Sequence, residues 1–206
     1  MITALTLVAC GVVSSGATGS VRFAPAKKKA VRQARPPKAW AGQVKFHYTI
    51  DFPTQEETDV TETAKVVLGH VSKRPPGFYW VRSGRIEWSG SSQEASTGCT
   101  WTNSGSRAAT KYDAFFDIAG RRPHYKAEWS SPDDLNIHVT YACPPPYSPY
   151  EADVSLLHPF FPLMRKTAGV RVNKALTLIV GSSHHSETTS FGTESWDYTW
   201  KFHSIR

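Results

Sequence analysis

Residues able to do chemistry are sparse in this chain, and His184-His185-Ser186-Glu187 is the densest group of them. Two imidazoles and a carboxylate are ordinary ligands for a transition-metal ion. Adjacent residues of a strand point to opposite faces, so only a loop could bring both rings onto one ion. The spacing also lacks the HExxH pattern that places two histidines on one helical face. His184, His185 and Glu187 are therefore a weak metal candidate, and no resident metal or cofactor is expected. A GxSxG nucleophile turn, a phosphate loop and a dinucleotide fingerprint are all missing. Carboxylates far apart in sequence can still converge in a β fold, as in many glycosidases. No catalytic residue is assigned, and the expectation is a non-catalytic protein.

Aromatic side chains offer a different chemistry. Seven Trp and eight Tyr among 206 residues make a heavy load. Such rings either fill a core, where each buries a large area, or form platforms for ligands. Trp88, Trp101 and Trp129 stand near turns or Ser/Thr/Gly-rich stretches and are candidate ligand contacts, with sugar stacking in view. Trp80, Trp196 and Trp200 lie in alternating stretches and read as core. Tyr147 and Tyr150 belong to Cys143-Pro144-Pro145-Pro146-Tyr147-Ser148-Pro149-Tyr150. Proline fixes φ and removes a donor, so this segment reads as a stiff loop that could present both rings to a partner. Phe160 and Phe161, between Pro159 and Pro162, read as packing over one end of the body. Cys99 and Cys143, each near the end of a strand-like segment, are expected to pair as a disulfide in an oxidising compartment.

The elements that must position these residues read as strands. Period-two alternation runs through Phe46-Tyr48-Ile50-Phe52, Val60-Ala64-Val66-Leu68, Leu135-Ile137-Val139-Tyr141 and Trp196-Tyr198-Trp200-Phe202. Phe78 to Trp88 reads as a hairpin turning at Ser83-Gly84, and a second hairpin turns near Ala119-Gly120. Ala175 to Val180 reads as a strand buried on both faces. Ala152 to Leu157 is the one stretch with a turn of helix in it. The expectation is an all-β fold: an antiparallel β-sandwich, with a barrel as alternative, of about nine or ten strands and one disulfide.

The N-terminal end carries a different signal. Leu7-Val8-Ala9-Cys10-Gly11 lies within the apolar run Ile2 to Val13. It resembles the lipobox of bacterial exported lipoproteins. The resemblance implies that Cys10 takes a diacylglycerol (with palmitate-like acyl chains) and becomes the mature N-terminus. Residues 2–10 contain no Lys or Arg, a departure from the usual positive start of a signal. Ala24-Pro25-Ala26 offers a second processing site, which would release a secreted protein. The remainder is similar to β-rich bacterial lipoproteins in general, without the motif of a specific family.

Charge follows the same division. Arg22, Lys27, Lys28, Lys29, Arg32, Arg35 and Lys38 fall between Val21 and Trp40 with no acid among them. Removing these seven from the 24 basic residues leaves 17 against 17 acidic ones, so the body is formally neutral. A polybasic segment beside a lipid anchor strengthens its hold on an anionic membrane by about 1 kcal/mol per charge. The domain reading is a signal and lipobox over 1–10, a flexible basic tether over 11–39 and a β-domain over 40–206. The functional expectation is an envelope-associated, lipid-anchored protein that binds a protein or polymer outside the cytoplasm. The alternative is a carbohydrate-binding or carbohydrate-active secreted domain. The membrane is reached through Cys10 and the basic tether, and nucleic acid is not an expected partner.

Overall fold

A computed structural model describes residues 36–205, apart from 73, 75, 76, 122, 123, 131–134 and 157–170; the side chains of 120, 121, 124, 125 and 128–130 are also outside the description. The chain divides into two units, Met1–Arg32 and Gln33–Arg206. The lipobox at Cys10, the basic residues from Arg22 to Arg35, and Phe160 and Phe161 lie outside the described residues.

Eleven strands and no helix are found among the described residues. In chain order they are β1 (Ala39–Phe52), β2 (Glu56–His70), β3 (Phe78–Glu94), β4 (Thr100–Ala108), β5 (Phe115–Arg121), β6 (His124–Ser130), β7 (Leu135–Tyr141), β8 (Tyr150–Leu156), β9 (Arg171–Val172), β10 (Leu178–Thr188) and β11 (Thr193–Ile205). The main sheet runs β6-β5-β3-β2-β1-β11-β10-β9, with β4 paired to β3 beside β5. Its two ends, β6 and β9, come into contact, so the sheet nearly closes on itself. Every strand pairing among the described residues is antiparallel. The all-β antiparallel expectation holds, with the barrel form in place of two flat layers.

Strand β1 sets the frame, because it pairs along its whole length with β2 on one side and β11 on the other. Its alternation buries Trp40, Val44 and Phe46, and the registered partners Leu68, Ala64, Trp200 and Tyr198 share that inner face. Each large side chain removed from water there stabilises the fold by about 1.5–3 kcal/mol.

β3 corrects the hairpin expected over Phe78 to Trp88. It is one 17-residue strand. Val67 faces Ser83 while Leu68 faces Val81, so Arg82 is the extra residue of a β-bulge. A bulge inserts one residue and shifts the phase of the strand. Odd-numbered Tyr79 and Val81 are buried before it, and even-numbered Ile86 and Ser92 after it. Gly84 occupies φ +154°, and a Cβ there would stand 2.3 Å from the Lys65 carbonyl oxygen. A Ser-Gly pair thus marks a close strand approach and not a chain reversal.

At the bulge the sheet also branches. The first residues of β3 pair with β5 and its later residues with β4. From β4 a bridge between Thr100 and Ala142 leads to the two-stranded sheet β7-β8. Cys99 and Cys143, the residues flanking that bridge, form the expected disulfide. Strand β7 buries Leu135, Ile137, Val139 and Tyr141 in strict alternation.

Several further expectations are corrected. Ala152 to Leu157 is not helical; residues to Leu156 form β8, paired with β7. Ala175 to Val180 is not a strand buried on both faces. Ala175 is exposed, Leu176 takes φ 53° in the turn before β10, and of Leu178, Ile179 and Val180 only Ile179 is fully buried. Trp80 is half-buried between the inward Tyr79 and Val81, with the Lys111 ammonium 5.8 Å from its ring, so it lies on the outer face. Trp101 is the largest change. It lies within β4, opposite Ser92, and is 2% exposed. Truncating Trp101→Ala should destabilise the protein by about 3–5 kcal/mol, as for other buried Trp and Phe residues. Urea unfolding followed by circular dichroism measures this, and a change below about 1 kcal/mol would show Trp101 on the surface.

Candidate functional site

The closed register determines which side chains meet inside the barrel. One inner row crosses Ser183, Tyr198, Phe46, Glu62, Trp88 and Gly105, each opposite its neighbour on the adjacent strand. The row beside it, nearer one barrel end, crosses His185, Trp196, Tyr48, Val60, Gly90 and Asn103. A third crosses Glu187, Glu194, Ile50, Thr58, Ser92 and Trp101. Buried rings and one carboxyl thus form a floor, and half-buried rings and several carboxylates form a mouth.

Glu62 is the anomaly of the floor. It stands in β2 between the inward Val60 and Ala64, and its exposure is 0%. Neither carboxyl oxygen has a hydrogen-bond partner. The Tyr198 hydroxyl and the Trp200 indole N–H are likewise buried without a partner. Buried polar groups are nearly always paired, and each exception asks for an explanation such as a water or a ligand. Burial raises the Glu62 pKa well above the ordinary carboxylate range, and the Arg107 cation opposes this only in part. Arg107 is itself engaged with Asp113 through two short bonds, 2.6 and 2.9 Å. Burial likewise raises the Tyr198 hydroxyl, with smaller contributions from Glu62 and Tyr48. Phe46 stacks on Tyr198 at 4.4 Å. Opposite Glu62, the Trp88 ring lies where a Cβ on Gly105 would meet it at 2.4 Å, and its N–H donates to Asn103 Oδ1 at 2.8 Å.

At the mouth, Tyr48 and Trp196 are half-buried with centroids 6.2 Å apart, and the His185 ring lies 4.5 Å from Trp196. Burial raises the Tyr48 hydroxyl, helped by the charges of Glu194 and Glu56. Glu56 accepts hydrogen bonds from Thr58 and Ser92, both at 2.7 Å. Tyr150 donates to Glu94 at 2.6 Å and stacks on Tyr141 at 4.5 Å. Glu56, Glu94 and Glu194 have no cationic partner among the described residues. On the opposite, outer face of the same strands lies a groove of about 620 Å³. Its outward lining includes Thr49, Asp51, Glu57, Asp59, Thr100 and Thr102, so it is hydroxylic and acidic.

The residues singled out from sequence fall in different places. Trp88 and Trp101 belong to the interior and not to a loop surface. Trp129 is in β6 opposite Phe116, and its side chain is outside the described residues. Tyr147 and Tyr150 are exposed, the first in the loop after the disulfide and the second at the mouth. His184 and His185 sit on strand β10, so their rings take opposite faces. His184 pairs with Asp197 on the outside at 2.7 Å, while His185 turns in towards Trp196. The metal reading of His184, His185 and Glu187 therefore loses its geometry. Sequence reasoning missed Glu62, Tyr48, Glu56 and Glu194. The available signal was the even phase of β2, where Thr58, Val60, Glu62, Ala64, Val66 and Leu68 share one face.

The chain matches no protein-family model, no curated protein and no solved structure. The site is accordingly read from its own residues.

A carboxyl with a raised pKa holds its proton more tightly in the folded than in the unfolded chain. Between the two pKa values folding takes up a proton, so stability falls as pH rises through that window. Glu62→Gln removes the dependence while keeping the shape. The variant should match wild type in melting temperature near pH 4 and exceed it increasingly towards pH 8. A melting-temperature difference independent of pH would show that Glu62 is ionised in the fold.

Proposed function

We propose that this chain is an exported, non-catalytic binding protein. It is anchored through lipid at Cys10 and takes a ligand outside the cytoplasm at the open end of its barrel. The observation that carries the binding reading is the pair of half-buried rings, Tyr48 and Trp196, framed by Glu56 and Glu194. Aromatic surface left partly open beside unpaired carboxylates can be covered by a ligand without a new cavity having to form. Small barrels commonly use such mouths for ligands. The lipobox resemblance supports the anchor, and the Cys99–Cys143 disulfide accords with an oxidising compartment. The basic run from Arg22 to Lys38 would add electrostatic hold on an anionic membrane.

A second reading, carbohydrate binding, draws on the exposed rings of Tyr147 and Tyr150 and on the hydroxylic outer groove. It no longer draws on Trp88 or Trp101. Soluble envelope polymers and their fragments, glycans included, should quench tryptophan fluorescence of the full chain saturably. Trp196→Ala should weaken that response at least tenfold, whereas Tyr150→Ala should dominate if the carbohydrate reading is correct. In Triton X-114 partition, wild type should enter the detergent phase and Cys10→Ser the aqueous phase. No response to any fraction, together with an aqueous wild type, would contradict both binding and anchor.

A further inference from the structure

The barrel carries its charges sorted along its axis. One outer rung crosses Ser182, Thr199, Lys45, Thr63, Glu87 and Ser106. Among the described residues, no Lys or Arg lies between this rung and the mouth. All of them lie on it or towards the opposite end, where the chain enters β1 at Lys38. That entry end exposes Lys38, Arg74, Arg82, Lys111, Lys174 and Lys201. Arg74 is in the loop between β2 and β3, Lys111 in the loop after β4, and Lys174 in the turn before β10, whose Thr177 carbonyl accepts from the Ser204 N–H. Acids show the reverse arrangement. Of those with described side chains, only Glu87, Asp113 and Asp117 belong to the entry side. Glu87 is held by Lys65 and Arg85 at 3.3 and 3.5 Å, and Asp113 by Arg107. A formally neutral body is thus basic at one end and acidic at the other.

Aromatic surface is added at the basic end. Phe78 and Trp80 project outward from β3 before the bulge, and Phe115 projects outward from β5 opposite Trp80. All three are half-buried, and Tyr112 beside them is 54% exposed. The Lys111 ammonium lies 4.8 Å from the Tyr112 ring and 5.8 Å from Trp80, and the Arg74 guanidinium lies 5.6 Å from Phe78. Positive charge and aromatic surface therefore share one patch. Trp and Tyr interleaved with Lys and Arg suit the boundary between lipid headgroups and acyl chains, where one part of a side chain is wet and another apolar. A soluble polyanion such as polyphosphate would use the cations and leave the rings uncovered.

We propose that the entry end of the barrel docks on an anionic lipid surface, with Arg74, Lys111, Trp80 and Tyr112 at the contact and the acidic mouth turned away. The inference rests on the membrane-anchored reading and adds to it a contact made by the folded body. Attraction at one end and repulsion at the other orient the barrel. Screening limits both to about 10 Å at ordinary salt. Strand β1 spans 14 residues at about 3.3 Å each, so in the docked barrel the mouth acids stand well outside that range.

The test uses the full chain carrying Cys10→Ser, which removes the acyl anchor and keeps the basic segment. Vesicles of phosphatidylcholine mixed with phosphatidylglycerol, and of phosphatidylcholine alone, are compared by co-sedimentation. The protein should bind the mixed vesicles, more weakly as salt rises, and leave the neutral ones alone. Arg74→Glu combined with Lys111→Glu should weaken binding at least tenfold, and Tyr112→Ser severalfold. Asp51→Asn with Glu57→Gln, at the acidic end, should change it less than twofold. Brominated acyl chains should quench tryptophan emission, and Trp80→Phe should remove most of that quenching. Equal binding by the parent and the Arg74, Lys111 variant would overturn the proposal, since the basic segment alone would then account for the contact. Binding to polyphosphate through the same two cations, with none to vesicles, would also overturn it and make the patch a polyanion site. If docking fails while the chain with Cys10 intact still enters the Triton X-114 detergent phase, the docking inference falls and the anchor stands. Failure of both removes the two together.

Discussion

A strand hydrogen-bonded on both sides and free of bulges cannot turn one side chain out of a barrel without turning all of them. Strand β1 imposes that constraint here, since its ladders with β2 and β11 run unbroken along nearly its full length. Val60, Ala64, Val66 and Leu68 must face the core, and Glu62, which shares their phase, is carried in with them. Slipping the register by one residue would expose every one of these apolar side chains. The apolar burial of the row therefore holds an acid in a place that an isolated carboxyl would avoid. An unpaired ionised carboxylate in such surroundings is costly enough that the group keeps its proton instead.

Much of the fold was legible because most inner faces are apolar and alternate. The phases of β1, β7 and β11 follow from Phe46, Leu135–Tyr141 and Tyr198–Phe202 without any tertiary information. Strand β4 was not legible: its inner residues are Trp101, Asn103, Gly105 and Arg107, so no apolar rhythm marks it. Its polarity makes sense only in company. Asn103 serves the Trp88 N–H, Gly105 yields room to the Trp88 ring, and Arg107 binds Asp113. β3 misled for another reason. A bulge at Arg82 exchanges the inward and outward phases midway, and a phase change in a single sequence looks like a turn.

The site was less legible than the fold. Ligand contacts sought on Ser/Thr/Gly-rich stretches proved to be strand interiors, because small hydroxyl residues such as Ser89, Ser91, Thr102 and Ser104 also suit the outer face of paired strands. Glu62 gives no sequence motif, and its meaning depends on which residues stand opposite it across three strands. The disulfide was the exception. Two cysteines near strand ends pointed to a link, and it ties the start of β4 to the end of β7. On a chain-entropy argument, closing a loop of this length stabilises the fold by about 4 kcal/mol.

The account turns on the protonation state of Glu62 inside the barrel. Carbon-13 NMR of the side-chain carboxyls in glutamate-labelled protein measures it directly, with Glu62→Gln identifying the resonance. The expected result is one carboxyl that keeps the chemical shift of the protonated acid at neutral pH and disappears in the variant. A Glu62 carboxyl that titrates in the ordinary range, near pH 4–5, would contradict the buried neutral acid.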